Sequence, residues 1–221
     1  MDIVMDALRG TWLSFALSGL LLGGGSAAAE TGPRTVIEQT TGELLKAVAD
    51  ERQAILDDPD RAQKLVERIV LPHVDMQIVG RWLLGRHWRK ATPEQREQFL
   101  EEFRKLLVRT YATALAEFTG GTEITYISER VSDDGEQAVV RTQIPLPGKA
   151  KPVDVVYRLH RKNDGWKAFD VVVEGVSMIA TYRTTIRNTI QRRGLNAVIE
   201  DLAEKNREGE VADTVAAKRQ Q

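Results

Sequence analysis

The sequence contains no cysteine, which excludes a disulfide framework, a zinc–thiolate site and a thiol nucleophile. Nor does it contain the ~20 consecutive apolar residues that a membrane-spanning helix needs; the run WLSFALSGLLL at 12–22 stops at eleven. Charge of one sign is missing as well. Thirty-one Lys and Arg face 32 Asp and Glu, so the chain is not a general polyanion binder and nucleic acid is excluded as its partner. Histidines number only three, His73, His87 and His160. No H-E-x-x-H pair, phosphate-cradling glycine loop with its lysine, G-x-S-x-G elbow or dinucleotide fingerprint is present, which removes the motif-borne metalloprotease, nucleotide and hydrolase chemistries.

What is present begins with the short apolar run itself. It is followed by GGGSAAA, and the order apolar core then small residues predicts a secretory signal over residues 1–29, cut after Ala29 in an A-x-A context. The segment before the run has one Arg against two Asp, where net positive charge is the rule, so the start codon is Met1 or Met5. Removal of 1–29 takes Asp2, Asp6 and Arg9 and leaves a formal net charge of zero. An exported, cysteine-free chain suits a bacterial periplasm, and without a cysteine near the cut there is no lipid anchor.

The remaining chain is 30–206, predicted as a single domain, with 207–221 a polar, flexible tail. Apolar residues recur at helical spacing from Pro33 to Leu56, then across Asp60–Val70 and His73–Leu84. Thr92-Pro93-Glu94-Gln95 is a capping box with proline at the first helical position, and it opens a long amphipathic helix with Phe99, Phe103, Leu106, Leu107, Tyr111, Ala114, Leu115 and Phe118 on one face. After Gly120-Gly121 the period changes from 3.6 to 2. Residues 123–131, 137–146, 153–161 and 166–174 read as four antiparallel strands. KNDG (162–165) predicts a three-residue hairpin loop in which Lys162 faces Trp166, pairing Val155, Tyr157 and Leu159 with Val173, Val171 and Phe169. Helices return over 176–192 and from Asn196 to about Asn206. The expected fold is α+β: a curved, four-stranded antiparallel sheet of NTF2-like form, with several helices packed on one face around a hydrophobic cavity.

Few residues offer chemistry. His73-x-Asp75 is a metal-pair or oriented-base spacing, and equally a helix start with a carboxylate in its first turn. His160 is expected to alternate outward into solvent. Trp and Arg interleave in RWLLGRHWRK (81–90), a pattern that suits either a packed corner or contact with lipid headgroups or a membrane-bound partner. Asp170 and Glu174 are open to two readings, acid/base work in an NTF2-like isomerase or hydrolase, or ion pairing with Arg183 or Arg187 at the strand-to-helix corner.

Two blocks, LPHVDMQIVGRWLLGRHWRKATPEQREQFLEEFRKLLVRTYATAL (71–115) and DVVVEGVSMIATYRTTI (170–186), resemble the MlaC, or toluene-tolerance, family of periplasmic phospholipid-binding proteins, and the resemblance extends over the chain after the signal. It implies a soluble, non-enzymatic carrier without cofactor or metal. A glycerophospholipid would be its cargo, and it would work in outer-membrane lipid asymmetry. Its partners would be an inner-membrane ABC transporter complex with a membrane-anchored lipid-binding subunit and an outer-membrane lipoprotein–porin complex; a monomer suffices for such a role. On this reading Phe103, Leu107, Tyr111 and Leu115 form one wall of a lipid pocket, and Val155, Tyr157, Phe169, Val171 and Val173 the opposite wall. Ile78, Met178, Ile179 and Tyr182 form the mouth or floor. Arg81, Arg86 and Arg89, or Arg183 and Arg187, would meet phosphate or an acidic partner surface.

Overall fold

The computed structural model describes residues 31–58, 60–116, 123–145 and 150–219, with side chains in 113–116 and 210–219 left aside. The signal reading for 1–29 lies outside these residues. Among them, no helix is long and apolar enough to cross a membrane.

Helix α1 (Pro33–Asp50) takes Pro33 in its first turn and runs through Gly42 without interruption. A turn at Glu51 separates it from α2 (Arg52–Asp57), and α3 (Asp60–Leu65) follows, passing into a π-type turn (Val66–Val70) and a 3-10 turn (Leu71–His73). Leu71-Pro72 ends that segment as the sequence anticipates, because proline has no amide to continue it. Helix α4 (Met76–Leu84) starts three residues later than the expected His73, since Asp75 is its cap and not part of its first turn. After α5 (Arg86–Lys90) comes α6 (Pro93–Ala116). Its capping box forms as predicted: the Thr92 amide donates to Gln95 Oε1 at 3.0 Å and the Gln95 amide to Thr92 Oγ1 at 3.2 Å.

Strands β1 (Thr125–Val131), β2 (Gln137–Ile144), β3 (Val153–Lys162), β4 (Gly165–Val173) and β5 (Val176–Ser177) form one curved antiparallel sheet in sequential order. The fifth strand, absent from the sequence reading, is two residues long. It exists because Glu174 (φ 50°) and Gly175 (φ 80°) make a two-residue turn with both residues left-handed, the turn that matches the twist of a hairpin. Glu174 is held there from both sides: its amide donates to Asp154 O at 2.9 Å and its Oε1 accepts from the Asp154 amide at 2.7 Å. The KNDG hairpin also differs from the three-residue expectation. Lys162 pairs with Gly165, leaving only Asn163 and Asp164 in the loop, and a bulge between Ala168 and Asp170 absorbs the one-residue offset. Tyr157 therefore still faces Val171 and Val155 still faces Val173, while Leu159 faces Ala168 in place of Phe169.

Helix α7 (Met178–Arg193) is capped by Ser177, whose Oγ accepts from the Ala180 amide at 3.1 Å. Helix α8 (Leu195–Arg219) runs on past Asn206, where the sequence reading ended it. Beyond that point the sequence is rich in Glu, Ala, Lys and Arg, all good helix formers. Its Gly209 lies against α6 so closely that a Cβ there would come within 2.0 Å of Arg109 Cζ. Asn206, buried, donates to Glu102 O at 3.0 Å and fixes the same seam.

Most of the buried apolar side chains among the described residues fall into three groups. The first joins α4, Trp88, α6, α7 and α8 around Phe99 and Phe103. The second sets Val36 and Ile37 of α1 on Val140, Leu159 and Trp166 of the sheet. The third gathers Val48, Ile55, Leu65 and Ile69 about Ala112 of α6. Helix α6 is thus shared between the first and third groups.

Candidate functional site

Two carboxylates fix the framework. Asp75, buried to 5% exposure, accepts with Oδ1 from the amides of Gln77 (2.9 Å) and Ile78 (3.0 Å) and so caps α4. Its Oδ2 meets His160 Nε2 at 2.9 Å and Lys162 Nζ at 3.0 Å. Burial raises its pKa, but the Ile78 amide and the two basic side chains outweigh that and hold it below the usual carboxylate value. Because an ionised Asp75 only accepts, the His160 tautomer is Nε2–H. His160 is not solvated, as alternation suggested. The bulge at Phe169 explains why: it leaves Ala168 O free to accept from the Asp75 amide at 2.9 Å, which draws Val74-Asp75 beside β4. Among the described residues, no group of three or more His, Cys, Asp or Glu is placed to hold a metal.

Asp170, also 5% exposed, is the second. Its Oδ1 accepts from the Ile179 amide at 3.1 Å, and its Oδ2 from Ser177 Oγ at 2.7 Å and Arg158 Nη1 at 3.1 Å. This is the corner-fixing role, with Arg158 as partner in place of Arg183. The three donors occupy both oxygens, so Asp170 anchors the first turn of α7 to β4.

These anchors bring the α6 and α7 residues of the anticipated pocket together. Phe103, 1% exposed, meets Tyr182 edge to face at 5.1 Å between ring centroids. Tyr111 donates to Met178 Sδ at 3.3 Å. Burial, with Tyr182 nearby, pushes the Tyr111 hydroxyl pKa far up, although 40% of the residue surface is exposed. Tyr157 is pushed up to about 12, chiefly by burial. Both phenols are neutral in any physiological medium and behave as apolar walls.

On the sheet, Val155 and Val173 face each other, as do Tyr157 and Val171. Leu107, Ile78 and Ile179 are half-buried, and Leu107 and Ile179 pack at the border of the first core group. Tyr111, Val155, Val171, Val173 and Met178 belong to none of the three core groups. Leu115 is in α6, its side chain outside the described residues.

Phe169, the bulge residue, packs against the same core group as Leu107, Ile179 and Tyr182; it also stacks on Trp82, rings 6.2 Å apart and 9° from parallel, and meets His160 edge-on. Trp88 is buried instead, under Gly80 and beside Arg96, whose guanidinium lies 5.4 Å from its ring centroid. Arg81, Arg86, Arg89, Arg183 and Arg187 are all exposed, but they do not form one surface. Arg86, Arg183 and Arg187 share a cleft with His87 and Gln191, two residues the sequence reading missed. The Arg183–Arg187–Gln191 spacing on α7 was the available signal.

Comparison with known proteins places these features in context. The family model described as MlaC protein matches residues 38–204. The intermembrane phospholipid transport system binding protein MlaC of Haemophilus influenzae is 28% identical over 194 residues, 86% of this chain and 88% of that protein. Toluene tolerance protein ttg2D of Pseudomonas putida is 31% identical over 169 residues, 76% of each. A solved phospholipid-binding protein from Ralstonia solanacearum, in complex with a phospholipid, superposes with a TM-score of 0.74 at 27% identity, over 82% of this chain and 99% of that one.

Proposed function

The chain belongs to the MlaC family, and from that premise we propose that it binds a glycerophospholipid and carries it through the periplasm. The observation that carries this reading is the apolar surface left open at the end of the sheet and on α6: Tyr111 is 40% exposed, and Val173 and Val176, which flank the β4–β5 turn, are 37% and 59% exposed. Apolar surface left unpacked in this way is the mark of an interaction site. An acyl chain supplies the missing contacts, and the phospholipid bound in the Ralstonia protein supports the same cargo.

At ~0.8 kcal/mol per methylene, a chain of roughly sixteen carbons represents on the order of 12 kcal/mol in water. Transfer through an aqueous compartment therefore requires an enclosing sleeve, and binding alone is the function. In the proposed pocket Phe103, Leu107, Tyr111 and Leu115 line one side, Val155, Tyr157, Val171 and Val173 the other, with Ile78, Met178, Ile179 and Tyr182 at the mouth or floor. Phe169, stacked on Trp82, stands with the sheet wall in this reading. Cargo held this firmly leaves only when docking changes the relative affinity of the two partners. The carrier would exchange lipid with an inner-membrane ABC transporter complex, through its membrane-anchored lipid-binding subunit, and with an outer-membrane lipoprotein–porin complex. The transport-system name of the Haemophilus relative supports this. No reaction is needed, and Asp170 has no free role as a base.

Organic extraction of purified protein followed by mass spectrometry tests the reading. A stoichiometric phospholipid is expected; protein that carries none and takes none up from vesicles would refute it.

A further inference from the structure

Between the C-terminal end of α4 and the middle of α7 lies a cleft of about 260 Å³. Its floor includes Leu83 and Leu84, both buried, and Gly85, whose φ of 53° turns the chain from α4 into α5. Its polar lining is Arg86, His87, Arg183, Arg187 and Gln191, with no carboxylate. Arg183, Arg187 and Gln191 follow at intervals of four along α7 and so project from one face. Arg86 donates only to His87 Nε2, at 3.4 Å, and none of the three arginines forms an ion pair with a described residue.

Several arginines elsewhere are paired with carboxylates: Arg34 with Glu38, Arg104 with Glu67, Arg158 with Asp170, Arg193 with Asp201. Here the positive charge is left standing. His87 responds to it, its pKa lowered by burial first and then by Arg86 and Lys90.

We infer that this cleft binds a phosphate group, with the guanidinium forks of Arg86, Arg183 and Arg187 as donors and Gln191 as a further one. Guanidinium forks match tetrahedral oxyanions bidentately, and three of them converge where no protein anion competes. The volume is below the ~300–1,000 Å³ of pockets that enclose a drug-sized ligand, so a small anion or a single headgroup phosphate fits and an acyl chain does not. The buried leucines behind the cleft limit water on one side and strengthen the attraction. The inference goes beyond the carrier reading, because it stands whether or not a lipid occupies the apolar space. The phosphate can be free or part of a lipid headgroup, and the experiment separates the two.

The arginine Nε–H signals of isotope-labelled protein are followed as inorganic phosphate is added at constant ionic strength, with chloride as control. Saturating shifts are expected at Arg86, Arg183 and Arg187 and not at Arg81 or Arg89. The double substitution Arg183→Gln, Arg187→Gln should weaken phosphate binding about tenfold or more with an unchanged thermal midpoint, since both side chains are exposed. In a second arm, vesicles of phosphatidylglycerol and phosphatidylcholine are floated with the protein. Flotation that phosphate competes away and that the double variant loses supports the cleft with a headgroup as source. Saturating phosphate shifts with flotation unaffected by the variant support it with free phosphate as source. Shifts that grow linearly and equal those with chloride overturn the inference. Shifts of the same arginines by a polyglutamate peptide and not by phosphate also overturn it, in favour of an acidic protein. Lipid content by mass spectrometry reports on the carrier function separately.

Discussion

His160 and Asp75, 85 residues apart in sequence, meet at 2.9 Å and tie the start of α4 to the β3–β4 hairpin. The same Asp75 oxygen holds Lys162 at 3.0 Å. Because the folded-state pKa of Asp75 lies below its ordinary 3.8, its contribution to stability is present above that value. It is lost as pH falls through the lower, folded value. Asp75→Asn keeps the helix cap but loses the charge-assisted bonds, a cost of about 1.5–3 kcal/mol near neutrality. Urea unfolding of both proteins at about pH 7 and about pH 3 should show the gap narrowing in acid; an equal gap at both would dismiss the assignment.

Asp170 makes its three bonds with the side chain 2% exposed. Asp170→Ala should destabilise the fold by about 2–3 kcal/mol, the loss of charge-assisted bonds from a buried site. Lipid occupancy should fall only in proportion to the folded fraction. Unfolding curves and extracted-lipid mass spectrometry on one preparation check this, and lost lipid with unaltered stability would return Asp170 to a direct role at the pocket.

Val173, 37% exposed, can carry a charge without unfolding the chain, whereas its partner Val155 is 7% exposed. Val173→Glu and Leu107→Glu should each lower phospholipid occupancy about tenfold or more, since a carboxylate against an acyl chain costs well over 1.4 kcal/mol. Normal occupancy in both would place the acyl chains elsewhere.

Gly80 is the closest approach of α4 to its neighbours: a Cβ would lie 2.6 Å from Leu100 Cδ2 and 2.6 Å from Trp88 Cζ3. Gly80→Ala gains about 1 kcal/mol of helix propensity and costs about 1–3 kcal/mol of overpacking. A net loss of roughly 1 kcal/mol is expected because the indole ring has little room to turn. A raised urea midpoint would contradict it.

Much of this architecture was legible because local rules and tertiary packing agree. Thr92 and Gln95 were readable as a cap from four residues, and the strand limits followed from alternation between turns. What was not legible depends on contacts between distant segments. The bulge at Phe169 has no glycine or proline to announce it, yet it sends Phe169 to Trp82, frees Ala168 O and makes His160 a half-buried partner of Asp75. Asp75 read as a first-turn carboxylate because nothing local reveals His160 and Lys162. Of the two readings open for Asp170, its bonds fit the corner one, with Arg158 in place of Arg183 or Arg187, because Arg158 lies directly across the strand pair. The sequence groups Arg86 with Arg81 and Arg89, its neighbours in the chain, because only the packing of α4 on α7 sets it beside Arg183 and Arg187.

The short β5 and the Val74–Asp75 segment both lie along the outer side of β4, one pairing at Val172 and Val173 and the other at Ala168. At the opposite border, β1 is kinked at Ile127 and presents Glu129 and Arg130 to solvent. Bulges, charges and short covering segments are the devices that keep a sheet border from templating another chain. A protein that must leave Tyr111, Val173 and Val176 uncovered has a standing hazard of aggregation. Here the backbone of β4 at Val173 is paired with Val176 of the two-residue β5, so little ladder is left open beside the exposed valines.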